Sequence, residues 1–212
     1  MFNDLFRNPK KLIIVLFVFA CVVTGMVVGV MNFSFAVNDE GMFYDEYTKL
    51  NNMASEDGKK YPRVTISKNN KMKYMTYDEI LDVFKNKGDA VIYFGNAKCL
   101  YCRSAVSVLV DTAKGTDLEK IYYLDIEGKS DKYDELLNTL GDEFVDNTDN
   151  ERKIYSPLVI FVADGQIVSY NKGTLFSQED PYTELDASQI KGLSEIYRYG
   201  IRDVLEASKN NN

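Results

Sequence analysis

The stretch Val91-Ile92-Tyr93-Phe94-Gly95-Asn96-Ala97-Lys98-Cys99-Leu100-Tyr101-Cys102 decides the fold of this 212-residue chain. Its first four residues are apolar or aromatic without alternation, which is the pattern of a strand buried on both faces. A short polar loop follows, and two cysteines separated by two residues then open a segment with helical periodicity. Because a structural framework in a small secreted domain needs more cysteines, this close pair indicates a redox or a metal arrangement.

Composition narrows the chemistry that this pair could perform. The net charge is −7, and no cluster of lysines and arginines lies outside the extreme N-terminus, which argues against nucleic acid as a partner. The chain has no histidine, so histidine bases, Cys-His pairs and histidine metal ligands are excluded. Cys21 is the third cysteine, and no second pair completes a four-ligand zinc site. We therefore expect neither a metal nor a cofactor.

Around the cysteine pair, strands and helices alternate. A capping box at Thr76-Tyr77-Asp78-Glu79 begins a helix before the pair, and Asp186 can cap a final helix. Such alternation predicts a parallel core with a closing hairpin, in the order β(β)αβαβαββα. The predicted strands are residues 63–67, 72–75, 90–94, 121–126, 158–162 and 166–171, the first two forming a hairpin; the helices are 77–87, 99–113, 131–140 and 187–205; residues 141–152 are a long acidic loop.

The N-terminal segment predicts a membrane anchor. Leu12–Met31 contains no charged residue and has about the 20 apolar residues that cross a bilayer as a helix. The preceding flank is basic, with Arg7, Lys10 and Lys11, and residues 39–46 are acidic. The positive-inside rule then places the N-terminus in the cytoplasm and the remainder outside the cell, as a single-pass protein of the cell membrane.

Two other interpretations of this segment stay open. Ser34-Phe35-Ala36 has small residues where a signal peptidase requires them, so the chain could be secreted after cleavage following Ala36. A lipoprotein anchored at Cys21 is the third interpretation, although the apolar run continues well past that cysteine. All three place the folded domain outside the cytoplasm. The expected division is a cytoplasmic N-terminus (1–11), a transmembrane anchor (12–31), a spacer (32–62), a folded domain (63–209) and a tail (210–212).

A dithiol at the start of a helix after a buried strand, within this order of elements, resembles the thioredoxin fold. The segment Tyr93–Cys102 is similar to the family's strand and active-site turn, and Ser156-Pro157-Leu158-Val159-Ile160-Phe161 is similar to its cis-proline segment. Lys172-Gly173 falls where the family has a glycine after its last strand. The resemblance covers about residues 65–209. It implies an α/β thioredoxin-like fold in which helices flank a central mixed sheet.

Two further segments resemble one type of thioredoxin-like protein. Tyr93-Phe94-Gly95 and Ile121-Tyr122-Tyr123-Leu124-Asp125 are similar to the bacteriocin-transport-accessory type of Gram-positive bacteria. The chain also departs from the family, because Lys98 stands where tryptophan is usual. Tyr93 stands where typical thioredoxins have a buried aspartate that relays protons, so the family's proton-transfer step does not carry over.

The cysteine spacing suits thiol–disulfide exchange, which needs one attacking thiolate and a second thiol close enough to resolve the mixed disulfide. The helix dipole and unpaired backbone N–H groups favour a thiolate at the helix start, so Cys99 is the predicted nucleophile. Cys102, one turn later and more buried, is the predicted resolving thiol. Lys98 places a positive charge beside Cys99 and is predicted to lower its pKa further.

The resemblance also implies a substrate surface. Pro157 is expected to be cis and to lie opposite the dithiol, and the backbone of Ser156 would pair with an extended substrate segment. Leu100 and Tyr101 belong to the same surface. The predicted function is a membrane-anchored, extracytoplasmic thiol–disulfide oxidoreductase. Its partners are protein thiols and disulfides, an unidentified redox partner and the membrane. The alternative is a non-catalytic accessory module of a secretion or bacteriocin export system.

Overall fold

A computed structural model describes residues 38–128, 130–147, 151–175 and 177–210. The chain divides into two units, residues 1–38 and 39–212. The predicted anchor, Cys21 and the cleavage position after Ala36 all fall in the first unit and lie outside the described residues. In the part of the chain that is described, no helix is both long enough and apolar enough to cross a membrane.

The second unit contains the alternating helices and strands that the sequence predicts. The helices are α1 (Asp39–Thr48), α2 (Tyr77–Lys85), α3 (Leu100–Lys114), α4 (Tyr133–Leu140) and α5 (Ala187–Asn210), and a 3-10 turn covers Asp142–Phe144. The strands are β1 (Met72–Tyr74), β2 (Ala90–Gly95), β3 (Ile121–Asp125), β4 (Val145–Asp146), β5 (Lys153–Ile154), β6 (Leu158–Ala163) and β7 (Gln166–Lys172).

Five strands form a central mixed sheet in the order β1-β3-β2-β6-β7. Strand β3 pairs in parallel with β1 and with β2, whereas β6 pairs antiparallel with β2 and with β7. This arrangement confirms the predicted central mixed sheet of a thioredoxin-like fold. A second, two-stranded sheet joins β4, within the predicted acidic loop 141–152, to β5, directly after that loop.

The central sheet separates two apolar cores, and β2 contributes to both. Its side chains alternate between the faces, as the pleat requires, so that Val91 and Tyr93 enter one core and Ile92 and Phe94 the other. The first core includes buried residues of α1, α3 and α5, and the second includes buried residues of α2 and α4. Strand β2 is therefore buried on both faces, as its unbroken apolar sequence predicts.

Helix α5 packs against β6 at Gly200, which has no side chain. A Cβ atom added at Gly200 would fall 2.3 Å from the ring of Phe161, so only glycine allows this approach. Around this contact, Leu193, Tyr197 and Ile201 of the helix are fully buried, on the apolar stripe that the sequence predicts.

Helix α1 belongs to the folded unit, although the sequence analysis assigned residues up to 62 to a spacer. Phe43 and Tyr47 have the spacing of one helical face, and both side chains are fully buried in the first core. The folded unit therefore begins at Asp39 rather than at residue 63. The aromatic positions of this segment belong to the core because they complete one face of the sheet.

A half-buried carboxylate, Glu46, holds α1 against the sheet. The Glu46 side chain accepts hydrogen bonds from the hydroxyls of Tyr123, at 2.9 Å, and of Tyr74. Burial raises the pKa of the Glu46 carboxyl above its ordinary value, although these two hydrogen bonds oppose the shift. Helix α1 is thus held by polar contacts as well as by its apolar face.

The hairpin predicted between residues 63–67 and 72–75 is not formed. Residues 63–67 are not a strand, and β1 pairs with β3 instead. Val64 is buried, but the amide side chain of Asn51 satisfies its backbone, accepting from the N–H and donating to the carbonyl at 2.9 Å each. Because a side chain supplies these hydrogen bonds, the segment can lie against the core without a neighbouring strand.

Candidate active site

The loop between β2 and α3 is held by an asparagine. The Asn96 side-chain oxygen accepts hydrogen bonds from the backbone N–H groups of Lys98, at 3.0 Å, and Cys99, at 2.9 Å. This turn delivers Cys99 to the N-cap of α3, where its sulfur accepts a hydrogen bond from the Cys102 backbone N–H at 3.2 Å. Cys99 thus occupies the position where a helix offers unpaired donors to an anion.

These donors favour the Cys99 thiolate. The pKa of Cys99 is lowered to about 7, chiefly because the Cys102 thiol donates to its sulfur. Burial opposes the shift, while the backbone N–H groups of Cys102 and Tyr101 and the side chain of Ser156 reinforce it. Since the thiolate is the nucleophilic form, Cys99 is activated near neutral pH.

The Cys102 thiol has the opposite environment. Its side chain is fully buried, and burial raises the pKa of this thiol well above its ordinary value, with the hydrogen bond to Cys99 acting in the same direction. Both thiols are free. Among the described residues, no group of three or more Cys, Asp or Glu side chains is placed to hold a metal ion. The pair therefore consists of one reactive and one protected thiol.

The segment before β6 brings a hydroxyl to both sulfurs. The Ser156–Pro157 peptide bond is cis, and the Pro157 carbonyl accepts a hydrogen bond from the Gly173 N–H at 2.7 Å. The Ser156 Oγ lies 3.0 Å from the Cys102 sulfur and 3.7 Å from the Cys99 sulfur. The structure thus brings together three residues that the sequence predicts in one site, although 57 positions separate Ser156 from Cys99.

A layer of polar side chains, Tyr47, Tyr93 and Arg103, closes the buried side of the dithiol. The Tyr93 hydroxyl lies 3.0 Å from the Tyr47 hydroxyl and donates to the Cys102 carbonyl at 3.4 Å. A Cβ at Gly95 would fall 2.5 Å from the Tyr93 hydroxyl and 3.1 Å from the Cys102 sulfur. Glycine at this position therefore leaves room for both the Tyr93 hydroxyl and the Cys102 sulfur.

Arg103 ties this layer to three other segments. Its guanidinium is fully buried and donates to the carbonyls of Pro62, Tyr47 and Ala97 and to the Asn51 side-chain oxygen, over distances of 2.8 to 3.0 Å. Arg103 is not among the predicted site residues, because a single charged residue on a helix usually faces solvent. The acceptors are neutral oxygens that lie between 6 and 56 positions from Arg103 in the chain, so no local pattern marks them.

The Lys98 side chain forms an ion pair with Glu127. Its ammonium lies 2.6 Å from a Glu127 carboxylate oxygen, and both side chains are more than half exposed. The hydrogen bonds described above lower the Cys99 pKa against the effect of burial, and Lys98 is not among these leading influences. An exposed ion pair of this kind contributes little to the stability of the fold. The tuning role of Lys98 stays a prediction.

The two residues between the cysteines face different depressions of the surface. Leu100 adjoins a depression of about 410 Å³ beside Cys99, and Tyr101 adjoins one of about 280 Å³ beside Ser156. The first is also lined by Ser55, Glu56, Asp57, Tyr61, Lys98 and Tyr182, and the second by Tyr155, Lys172, Gly173, Thr174, Leu175 and Gln178. Lining residues from the segment before the sheet, between Ser55 and Tyr61, and from the segment after β7 thus shape the surface around the dithiol.

No protein-family model matches this chain, and no curated protein matches it. Among solved structures, the reduced desulfothioredoxin of Desulfovibrio vulgaris Hildenborough is 22% identical, with a TM-score of 0.34, covering 55% of this chain and 85% of its own. Oxidized thioredoxin O2 of Arabidopsis thaliana is 16% identical, with a TM-score of 0.37, covering 62% and 96% respectively.

Proposed function

We propose that this chain is a thiol–disulfide oxidoreductase that acts on the cysteines of other proteins. The observation that carries the proposal is the asymmetry of the dithiol. Cys99 is half-buried at a helix N-terminus with its pKa lowered to about 7, whereas Cys102 is fully buried with its pKa raised. Thiol–disulfide exchange requires this division between an attacking thiolate and a resolving thiol.

In the reductive direction, the Cys99 thiolate attacks one sulfur of a substrate disulfide. The substrate S–S bond breaks, its other sulfur leaves as a thiolate that takes up a proton, and Cys99 holds the substrate as a mixed disulfide. Cys102 then attacks the Cys99 sulfur, loses its own proton and releases the second substrate thiol. Two electrons pass to the substrate, and the enzyme is left with a Cys99–Cys102 disulfide. The oxidative direction reverses these steps.

The substrate in this proposal is an extended polypeptide segment beside Ser156 and Pro157. The depressions next to Leu100 and Tyr101 lie on either side of the reactive sulfur and would receive the residues that flank the substrate cysteine. Main-chain pairing at the Ser156 backbone would fix the segment in register, as in other cases where a peptide lies along a strand.

Insulin reduction tests the proposal. We expect the wild type to reduce insulin in the presence of a thiol reductant, and Cys99→Ala and Cys102→Ala to lose at least about 100-fold of this activity. Equal activity in wild type and Cys99→Ala would contradict it. The reduction potential adds an independent criterion: a value between about −270 and −120 mV fits a catalyst, and one far below about −300 mV fits an inert module.

The proposal includes a location outside the cytoplasm, supported by the uncharged Leu12–Met31 segment and its basic N-terminal flank. Membrane fractionation combined with protease treatment of intact cells tests it. We expect the protein in the membrane fraction and residues 39–212 accessible to external protease. A mature chain that begins at Val37 would instead establish cleavage after Ala36, and protection from protease would contradict an external location.

The similarity of Tyr93–Gly95 and Ile121–Asp125 to the bacteriocin-transport-accessory type supports a partner in peptide export. Purification of Cys102→Ser from its native cells would retain substrates as mixed disulfides with Cys99, since the resolving thiol is absent. We expect an export component or an exported peptide among them. Capture of housekeeping proteins alone would contradict this narrower assignment.

A further inference from the structure

The depression beside Cys99 is lined largely by a segment that the sequence predicts to be a spacer. Side chains between Ser55 and Tyr61 line it together with Tyr182, which follows β7, and Cys99 itself is part of the same lining. The hydroxyls of Ser55 and Tyr182 lie 3.0 Å apart, within hydrogen-bond distance, although 127 positions separate the two residues. Because Cys99 belongs to this depression, a side chain next to the substrate cysteine is brought against residues 55–61.

This segment forms a closed turn that holds a carboxylate. The Ser55 N–H donates to the Lys59 carbonyl at 2.8 Å, and the Lys59 ammonium lies over the Tyr182 ring, 4.7 Å from its centroid. The Asp57 carboxylate accepts hydrogen bonds from the Ser55 hydroxyl, at 2.6 Å, and from the Lys59 N–H, at 3.2 Å. Hydrogen bonds from Ser55 and Tyr182 lower the pKa of Asp57 to about 2, so this side chain is ionised wherever Cys99 reacts.

Negative charge predominates among the charged side chains that line the depression, which are Glu56, Asp57 and Lys98. The Glu56 carboxylate is exposed and has no ion-pair partner among the described residues. The Lys98 ammonium is already paired with Glu127, 2.6 Å away. Arg103 lies 5.2 Å from the Tyr61 ring, but it is fully buried and donates to four protein oxygens. What the described lining offers to a substrate is therefore carboxylate rather than a free cation.

On the basis of the function proposed above, we propose that the 55–61 turn selects substrates with a lysine or an arginine beside the reactive cysteine. The cationic group of that residue lies against the carboxylates of Glu56 and Asp57, and its aliphatic stem packs on Leu100. The Cys99 thiolate adds a further negative charge to the attraction. Opposite charges raise the rate of encounter and fix the register of the substrate, whereas an acidic residue beside the cysteine is repelled.

The test uses the full-length chain carrying Cys21→Ser, in a nonionic detergent, so that the dithiol provides the only thiols. The substrates are three blocked peptides, Gly-Lys-Cys-Lys-Gly, Gly-Gln-Cys-Gln-Gly and Gly-Glu-Cys-Glu-Gly, each joined through its cysteine to thionitrobenzoate. Cys99 attacks the peptide sulfur, the peptide–aryl S–S bond breaks, and the absorbance of the released aryl thiolate gives the rate. Because each peptide has the same residue on both sides of its cysteine, the direction in which it binds does not affect the comparison. The glutamine peptide is the uncharged reference.

We expect the wild type to react with the lysine peptide at least about tenfold faster than with the glutamate peptide, and this ratio to shrink in about 0.5 M salt. The double variant Glu56→Gln/Asp57→Asn should lower the ratio at least about fivefold. Asp117→Asn/Glu119→Gln is the matched control, because it removes two exposed carboxylates just after the other end of α3. It should leave the ratio within about twofold of the wild type.

An unchanged ratio in Glu56→Gln/Asp57→Asn would overturn the inference, as would an equal decrease in the control. Thermal unfolding verifies that the variants fold. Glu56→Gln alone, which breaks no ion pair, should still lower the ratio at least about twofold if Asp57→Asn loosens the turn. If the wild type reacts with all three peptides no faster than Cys99→Ala, the proposed function fails. If it reacts with all three equally fast, the function stands and only the selectivity of the turn is contradicted.

Discussion

The two sides of the dithiol differ in what they offer the sulfurs. On the buried side, Tyr47, Tyr93 and Arg103 form a continuous hydrogen-bonded layer. It reaches the Cys102 carbonyl and the backbone carbonyls of Pro62, Tyr47 and Ala97. On the open side, the Ser156 hydroxyl contacts the sulfurs themselves. The buried side holds the backbone of the site in place, and the open side places a hydroxyl against the reacting sulfurs.

The spacing of the cysteines does not by itself set the pKa values of their thiols. Cys99 and Cys102 lie one helical turn apart, yet the pKa of one thiol is lowered and that of the other is raised. The helix N-terminus and burial act on them in opposite directions. Substitutions on the buried side should therefore change stability, and substitutions on the open side should change reactivity.

The largest effect is expected from Arg103→Met, which tests the structural role of the buried side. The variant leaves the oxygens of Pro62, Tyr47, Ala97 and Asn51 without their donor, and unsatisfied buried acceptors are costly. We expect the free energy of unfolding to fall by about 2–4 kcal/mol in urea denaturation.

Arg198→Met is the matched control for this experiment, because Arg198 is exposed on α5. It should change the free energy of unfolding by less than about 0.5 kcal/mol. If both arginine variants were equally stable, the hydrogen bonds of Arg103 would not be what holds α1 and the active-site loop together.

A smaller effect is expected from Tyr93→Phe. The variant removes the hydroxyl that contacts Tyr47 and the Cys102 carbonyl, and should lower the free energy of unfolding by about 1–2 kcal/mol. Insulin reduction should stay within about threefold of the wild type, because Tyr93 accepts no proton in the reaction. Tyr199→Phe, at a side chain that is 57% exposed, is the control. A large loss of activity at unchanged stability would instead place Tyr93 in the reaction.

The smallest effect is expected from Lys98→Gln on the open side. Since the Lys98 ammonium pairs with Glu127 at the exposed surface, the variant should change stability by less than about 0.5 kcal/mol. The rate of Cys99 alkylation at pH 7 should change less than about twofold. Glu127→Gln frees Lys98 and serves as the control. A pronounced slowing of alkylation in Lys98→Gln alone would confirm the tuning role predicted for this residue.

The sequence sufficed to predict the central sheet, since the unbroken apolar run of β2 and the capping box of α2 are local signals. It also placed Cys99 at a helix start, which the structure shows as the N-cap of α3. Ser156 joined the prediction only through a resemblance, because no local pattern relates it to a cysteine 57 positions away.

What the sequence could not show depends on long-range contacts. Arg103 contributes to the site mainly through hydrogen bonds to backbone carbonyls, which any residue could provide. Tyr47 contributes through a hydroxyl contact with Tyr93, 46 positions away, which no local pattern marks. The hairpin predicted at residues 63–67 failed for a related reason: the Asn51 side chain satisfies Val64 in place of a strand. Tertiary contacts overrode a local preference in this segment.

The pH dependence of alkylation tests the central claim, that the dithiol consists of one activated and one protected thiol. The reduced Cys21→Ser protein is treated briefly with iodoacetamide between pH 5 and 10, and each modified cysteine is counted by peptide mass spectrometry. The rate at Cys99 should rise with pH and be half-maximal at about pH 7, because the thiolate reacts and this pKa is lowered. Cys102 should remain unmodified throughout this range while the protein is folded. Equal modification of the two cysteines, or a Cys99 midpoint at the pH of an ordinary thiol, would contradict the account.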